Sequence, residues 1–147
     1  MTNSKILNSV RLIQKCIIVR DDGKILALKR VIDDHSRGGA WDLPGGGYEQ
    51  GEEVIEAIKR EVTEEVGLTA KTLTPIYFTN RLGIKIGFFA GETVFATTYV
   101  CKDWVGEVQL SEEHIEYRWM TPQEFLSLEF GTDDGYFVAS MQTYLSS

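Results

Sequence analysis

Glu61, Glu64 and Glu65 stand at i, i+3 and i+4 in the run Gly46–Leu68, GGYEQGEEVIEAIKREVTEEVGL. On a helix these positions share one side. Three carboxylates there repel one another unless a positive charge joins them. A divalent cation is the natural partner, because hard cations such as Mg²⁺ take oxygen ligands. Just before them, Pro44-Gly45-Gly46-Gly47 supplies backbone that a ligand can approach closely. A glycine turn followed by a helix with clustered glutamates points to metal-assisted chemistry on a phosphorylated substrate. The competing reading is a solvated acidic helix face, the usual meaning of a charge run.

The same run resembles the Nudix box, G-x5-E-x7-REUxEExGU, where U is a bulky aliphatic residue. Gly46, Glu52, Arg60-Glu61, Val62, Glu64-Glu65, Gly67 and Leu68 fill every defined position. Trp41-Asp42-Leu43-Pro44-Gly45 resembles the usual lead-in. So many residues at fixed spacing form a far more specific signal than a lone glycine motif. The resemblance implies an α/β fold, the Nudix-type α/β/α sandwich with a mixed β-sheet. It implies a metal-dependent pyrophosphohydrolase that cleaves a nucleoside diphosphate linked to another moiety.

The resemblance also implies roles. Glu64 and Glu65 ligate Mg²⁺, with Mn²⁺ as a substitute. Glu61 binds metal, acts as general base, or does both. Glu52 joins the metal site, often through water, and the Gly45 carbonyl adds a ligand. Arg60 enters the catalytic set as the residue that orients Glu52 or Glu64, because its fork of donors suits two carboxylates. Many members take one more acid from a loop outside the box. Glu113 is the candidate base here, with Glu112 beside it. Duller readings stand next to these. Glu52 is favourable at a helix start whatever its chemistry, Arg60 suits an exposed i,i+4 pair of little worth, and Glu112 and Glu113 suit an exposed loop.

Arg30 and Arg37, near the second strand, are candidates for substrate phosphates, as are Tyr48 and Arg81 for substrate contact; Lys29 is in the same position as Arg30. Strand-end charge is the alternative for the basic residues. His35 and His114 are isolated and read as surface histidines. The subfamily markers that the resemblance would place downstream are missing. There is no proline near Gly83 or Ile84 and no tyrosine across Ile84–Ile86. A nucleoside triphosphate or a nucleotide sugar is therefore the expected substrate. A nucleotide-sensing module without catalysis and an allylic diphosphate isomerase are the competing functions. The second needs a cysteine at the site, for which Cys16 and Cys101 are the only choices.

Composition sets the frame. A chain of 147 residues is expected to form one domain with a real core. Hydrophobic residues make up 43% and charged residues 25%, which is ordinary for a globular protein. Fifteen basic against 22 acidic residues leave a net charge of −7, which argues against a nucleic-acid polymer or an anionic membrane as partner. The expected partner is a small nucleotide derivative, and a homodimer is open. Bound cations would reverse the local sign of the field for a phosphate substrate. No apolar run is long enough to span a bilayer. The N-terminal stretch lacks the apolar region of a secretory signal, so a cytoplasmic location is expected, with both cysteines as buried free thiols.

The elements that must position the glutamates follow from periodicity. Residues 13–20 and 24–30 are apolar runs joined by Asp21-Asp22-Gly23, a hairpin signal. Residues 31–40 read as a polar loop. A helix is predicted from about Glu53 to Val66, with Val54, Ile55, Ile58, Val62 and Val66 inward and Gly67 as C-cap. Strands are predicted over Leu73–Thr79, Thr93–Cys101 and Ile115–Met120. Thr121-Pro122-Gln123-Glu124 opens a short helix with a capping box. A last helix spans 134–145, with Phe137, Met141, Tyr144 and Leu145 inward.

Overall fold

The run IQKCIIV is apolar almost throughout because its strand is covered on both faces. In the computed structural model, which describes residues 10–33, 37–80, 93–131 and 134–147, this strand is β1 (Val10–Ile18). Cys16 and Ile18 face one core layer, while Ile17 and the adjoining Val19 face the other. The remaining strands are β2 (Ile25–Arg30), β3 (Trp41–Asp42), β4 (Gly45–Gly47), β5 (Thr69–Thr79), β6 (Thr93–Val105) and β7 (His114–Met120). The helices are α1 (Val54–Val66), α2 (Pro122–Leu126) and α3 (Asp134–Leu145).

Two sheets result, one ordered β4-β1-β6-β5 and one ordered β3-β2-β7. β1 and β6 run parallel and the other pairings are antiparallel, so the larger sheet is mixed. One core layer joins Ile58, Val62 and Val66 of α1 to Cys16, Ile18, Leu26 and Leu28. The other joins Phe125 of α2 and Tyr136, Phe137 and Met141 of α3 to Ile17, Ile25 and Val100. Helices thus cover both sides of the strands, the α/β/α arrangement expected.

The predicted hairpin needs correcting. Its turn forms: the Arg20 N–H donates to the Lys24 carbonyl at 2.9 Å, and Gly23 N–H donates back to Arg20. Beyond the single Val19–Ile25 bridge the two strands part into different sheets. The reason is that β4 and β6 already take both edges of β1. β5 and β6 are longer than predicted at the ends nearest α1, since β5 begins straight after the helix cap.

α1 begins one residue later than predicted, with Glu53 as N-cap accepting from the N–H groups of Ile55 and Glu56. Gly67 takes the left-handed C-cap conformation and donates to Thr63. Val54 is exposed, and Ala57 and Glu65 are buried in its stead. The Thr121 cap on α2 forms as predicted, accepting from Glu124 N–H at 3.1 Å. On α3, Phe137 and Met141 are buried, but Leu145 is 41% exposed. Tyr136 and Ser140 turn inward, where their hydroxyls meet the buried Thr98 hydroxyl of β6 at 2.6 and 2.7 Å.

Candidate active site

The glycine turn enters β4 beside β1, with Gly45 opposite Lys15 in the ladder. Gly45 has a φ of 139°, and a Cβ there would lie 2.1 Å from the Gln14 carbonyl oxygen. Only glycine fits such a position. At Gly46 a Cβ would sit 2.7 Å from a Glu61 carboxylate oxygen. The missing side chains therefore let the turn lie directly against the glutamate-bearing face of α1.

Arg60 gathers Glu52, Glu61 and Glu64. Its Nε and Nη2 donate to the two oxygens of Glu52 at 2.8 and 2.9 Å. Its Nη1 donates to Glu61 at 3.2 Å and to Glu64 at 3.0 Å, and Nη2 also reaches the Gly47 carbonyl. The bond from Arg60 holds the Glu52 carboxyl below its usual range. Glu52 is braced further by the Glu49 N–H. Tyr48, a candidate for substrate contact, instead donates its hydroxyl to the Glu52 carbonyl at 2.6 Å.

The inner carboxylates are different. Burial pushes the Glu61 carboxyl upward against the pull of Arg60. Glu65 is only 5% exposed. Burial drives its carboxyl up to about 8, while Lys15 and the Gly45 N–H pull the other way. That N–H donates to Glu65 Oε2 at 3.0 Å. A buried carboxylate of this kind holds its charge only when a cation joins it.

Behind the turn lies a charge cluster that reading the sequence missed. Asp42 is 0% exposed. Its oxygens meet Lys15 Nζ at 3.0 Å, Arg30 Nη1 at 2.9 Å, Arg37 Nη2 at 3.2 Å and His114 Nε2 at 3.5 Å. It also accepts from the Leu43 N–H at 2.8 Å. Burial raises its carboxyl, but Lys15, Arg37, His114 and Arg30 outweigh this and hold it well below the usual range. Arg30 and Arg37, read as candidates for substrate phosphates, thus direct their guanidinium groups at Asp42. Arg37 also donates to the carbonyls of Trp41 and Phe130. His114 is buried, not on the surface as its isolation in the sequence suggests. The one signal available was a lysine and an aspartate within apolar strands, where an unpaired charge is costly.

The loop before β7 is tied to the end of α1. Gln109 and Ser111 N–H groups donate to the carbonyls of Val66 and Glu65. Glu112 and Glu113 are exposed. The Glu113 carbonyl accepts from Val31, and its carboxylate adds to the upward push on Glu65. Arg81 and His35 lie outside the described residues, as do the subfamily marker positions near Gly83–Ile86. Both cysteines are free and buried in the layer beneath α1.

Carboxylates plus a backbone carbonyl form the oxygen donor set that Mg²⁺ or Mn²⁺ prefers. Among the described residues no three acidic, His or Cys side chains already converge on one point. Arg60 engages Glu52, Glu61 and Glu64, and Glu65 turns to Gly45. The donors fit a divalent ion by chemistry and neighbourhood, with side-chain rotation needed to close around it.

A family model described as NUDIX domain matches residues 11–141. The chain belongs to the Nudix family. It is 32% identical over 116 residues to the protein named nucleoside triphosphatase NudI from Escherichia coli O139:H28, covering 76% of this chain and 82% of that one. Among solved structures it resembles the MutT protein from Methanosarcina mazei Go1, with a TM-score of 0.77 and 26% identity over 95% of this chain and 97% of that one. It also resembles the MutT NUDIX hydrolase from Burkholderia pseudomallei, with a TM-score of 0.66 and 29% identity over 79% and 86% of the two chains. This Nudix protein has the family's α/β fold and is a Nudix-type hydrolase acting on phosphoric anhydride bonds. Nudix hydrolases generally use divalent metal ions. Among the described residues no helix is long and apolar enough to cross a membrane.

Proposed function

We propose that this Nudix protein is a Mg²⁺-dependent pyrophosphohydrolase of nucleoside triphosphates, with Mn²⁺ as a substitute ion. The observation that carries the reading is the gathering of Glu52, Glu61 and Glu64 on Arg60, against a turn whose Gly46 leaves room only for the Glu61 carboxylate. The name of the 32%-identical relative supports the triphosphate over the nucleotide sugar.

Glu61, Glu64, Glu65 and the Gly45 carbonyl would hold the ion, with Glu52 at its margin. Bound there, it would polarise phosphoryl oxygens and lower the pKa of the attacking water. The chain's own groups do the rest. Arg60 is a positioning residue that sets the directions of three carboxylates. Glu113, two residues after the Ser111 whose N–H donates to the Glu65 carbonyl, takes the proton from the attacking water as general base. Glu61, whose carboxyl is raised by burial, is the second candidate for that proton. The bond broken is the Pα–Pβ anhydride: attack at Pα expels pyrophosphate, attack at Pβ expels the nucleoside monophosphate, and either yields monophosphate and pyrophosphate.

A panel of nucleoside triphosphates, nucleotide sugars and dinucleotides with Mg²⁺, read by product mass, tests the substrate class. Turnover of triphosphates to monophosphate and pyrophosphate supports it. Turnover restricted to nucleotide sugars would overturn the triphosphate assignment while leaving the hydrolase reading in place.

A further inference from the structure

Lys15 is a lysine in the middle of β1 and is 7% exposed. Its ammonium makes three contacts. It lies 3.0 Å from Asp42 Oδ1 and donates to the carbonyls of Leu43 and Gly45, each at 3.3 Å. Gly45 is therefore held from both sides. Glu65 accepts from its N–H, and Lys15 donates to its carbonyl. The same ammonium acts on Glu61 and Glu65 through space. Asp42 fixes both ends of this arrangement, since one of its oxygens meets Lys15 and the Leu43 N–H. Neutralising Asp42 does not by itself call for Lys15, because Arg30 and Arg37 are also on that carboxylate.

We propose that Lys15 is a positioning residue of the metal site, fixing the direction of the Gly45 carbonyl and setting its ammonium on the Glu61 and Glu65 side of the turn. This rests on the metal-dependent reading above. Two effects of opposite sign follow. The fixed charge opposes a divalent ion, so its removal tightens metal binding. Loss of the carbonyl's anchor misplaces a ligand, so its removal slows turnover.

The test is Mn²⁺ binding, followed by electron paramagnetic resonance of the free ion, alongside kcat at saturating Mg²⁺. Lys15→Met should bind Mn²⁺ ~3-fold or more tightly, because removing a like charge near the ion outweighs displacement of one neutral carbonyl ligand. Its kcat should fall ~10-fold. Lys15→Gln keeps an N–H donor for the Gly45 carbonyl and drops the charge. It should show the tighter Mn²⁺ binding with a smaller loss of kcat, and it carries the charge test if Lys15→Met does not fold. A purely structural partner of Asp42 would lower the melting temperature and leave both quantities at wild-type values. That result, with wild-type protein binding Mn²⁺ and hydrolysing normally, would overturn the Lys15 assignment alone. Wild-type protein that binds no Mn²⁺ would overturn the metal-dependent reading and this inference with it.

Discussion

Glu64 and Glu65 differ in surroundings although they are adjacent. Glu64 is an exposed carboxylate on Arg60, whereas Glu65 is buried against Gly45. Glu64→Gln and Glu65→Gln remove negative charge and preserve shape. Each should lower kcat by ~10²-fold or more through lost transition-state stabilisation. Neither should cost much stability in metal-free buffer, because like charges are relieved and the Glu65→Gln side chain keeps an oxygen that accepts from the Gly45 N–H. An unchanged kcat would show that the carboxylate in question is not a ligand. For the loop acids, Glu113→Gln should lower kcat strongly and alter the pH profile, with Glu112→Gln as its neighbour control. Equal, near-wild-type kinetics in both would assign the proton to Glu61. Asp42 makes a different kind of contribution. Its folded pKa is depressed, so the stability it adds is full above the unfolded value of ~3.9 and is lost as pH falls through the lower folded value. Asp42→Asn leaves Lys15, Arg30 and Arg37 facing a neutral group, at a cost of about 3–5 kcal/mol at pH 7. Urea unfolding at pH 7 and pH 3 checks this: the gap between variant and wild type should be wide at pH 7 and smaller at pH 3, closing only as pH falls through the folded value. Coincident curves at pH 7 would contradict the assignment.

At the scale of elements, the β4 turn and α1 act as one unit. The turn approaches the helix only because Gly46 has no side chain, and the near atoms belong to the Glu61 carboxylate. Gly46→Ala should therefore push Glu61 aside. The displaced atoms end a flexible side chain, so α1 and the overall melting temperature should change little while kcat falls ~10-fold or more. Wild-type kcat in this variant would mean that the Glu61 position is not critical. Gly45→Ala is a contrasting case. Its Cβ would run into the Gln14 backbone, and β4 would lose its pairing with β1.

For the whole molecule, what could be read from the sequence was what depends on local spacing. The helix that carries Glu61, Glu64 and Glu65, its Gly67 cap and the Thr121 cap are set by neighbours within a turn or two, and all three form as predicted. What escaped depends on partners far along the chain. β1 and β2 look like a hairpin, yet their edges are claimed by β6 and β7, which lie much later in the sequence. Lys15, Asp42 and His114 each look ordinary alone. Their meaning appears only when β1, β3 and β7 bring them together. Leu145 follows the helical period of α3 yet is exposed, because that period does not show where the packing partners of the last turn end.

Metal dependence is the central claim and has a direct test. Protein dialysed against EDTA is mixed with a nucleoside triphosphate, and product is followed by mass before and after Mg²⁺ is added. On the proposed mechanism the carboxylate cluster needs a divalent ion to activate water at phosphorus, so no turnover should occur in EDTA and full turnover should return with Mg²⁺. Full hydrolysis in the metal-free sample would contradict the account.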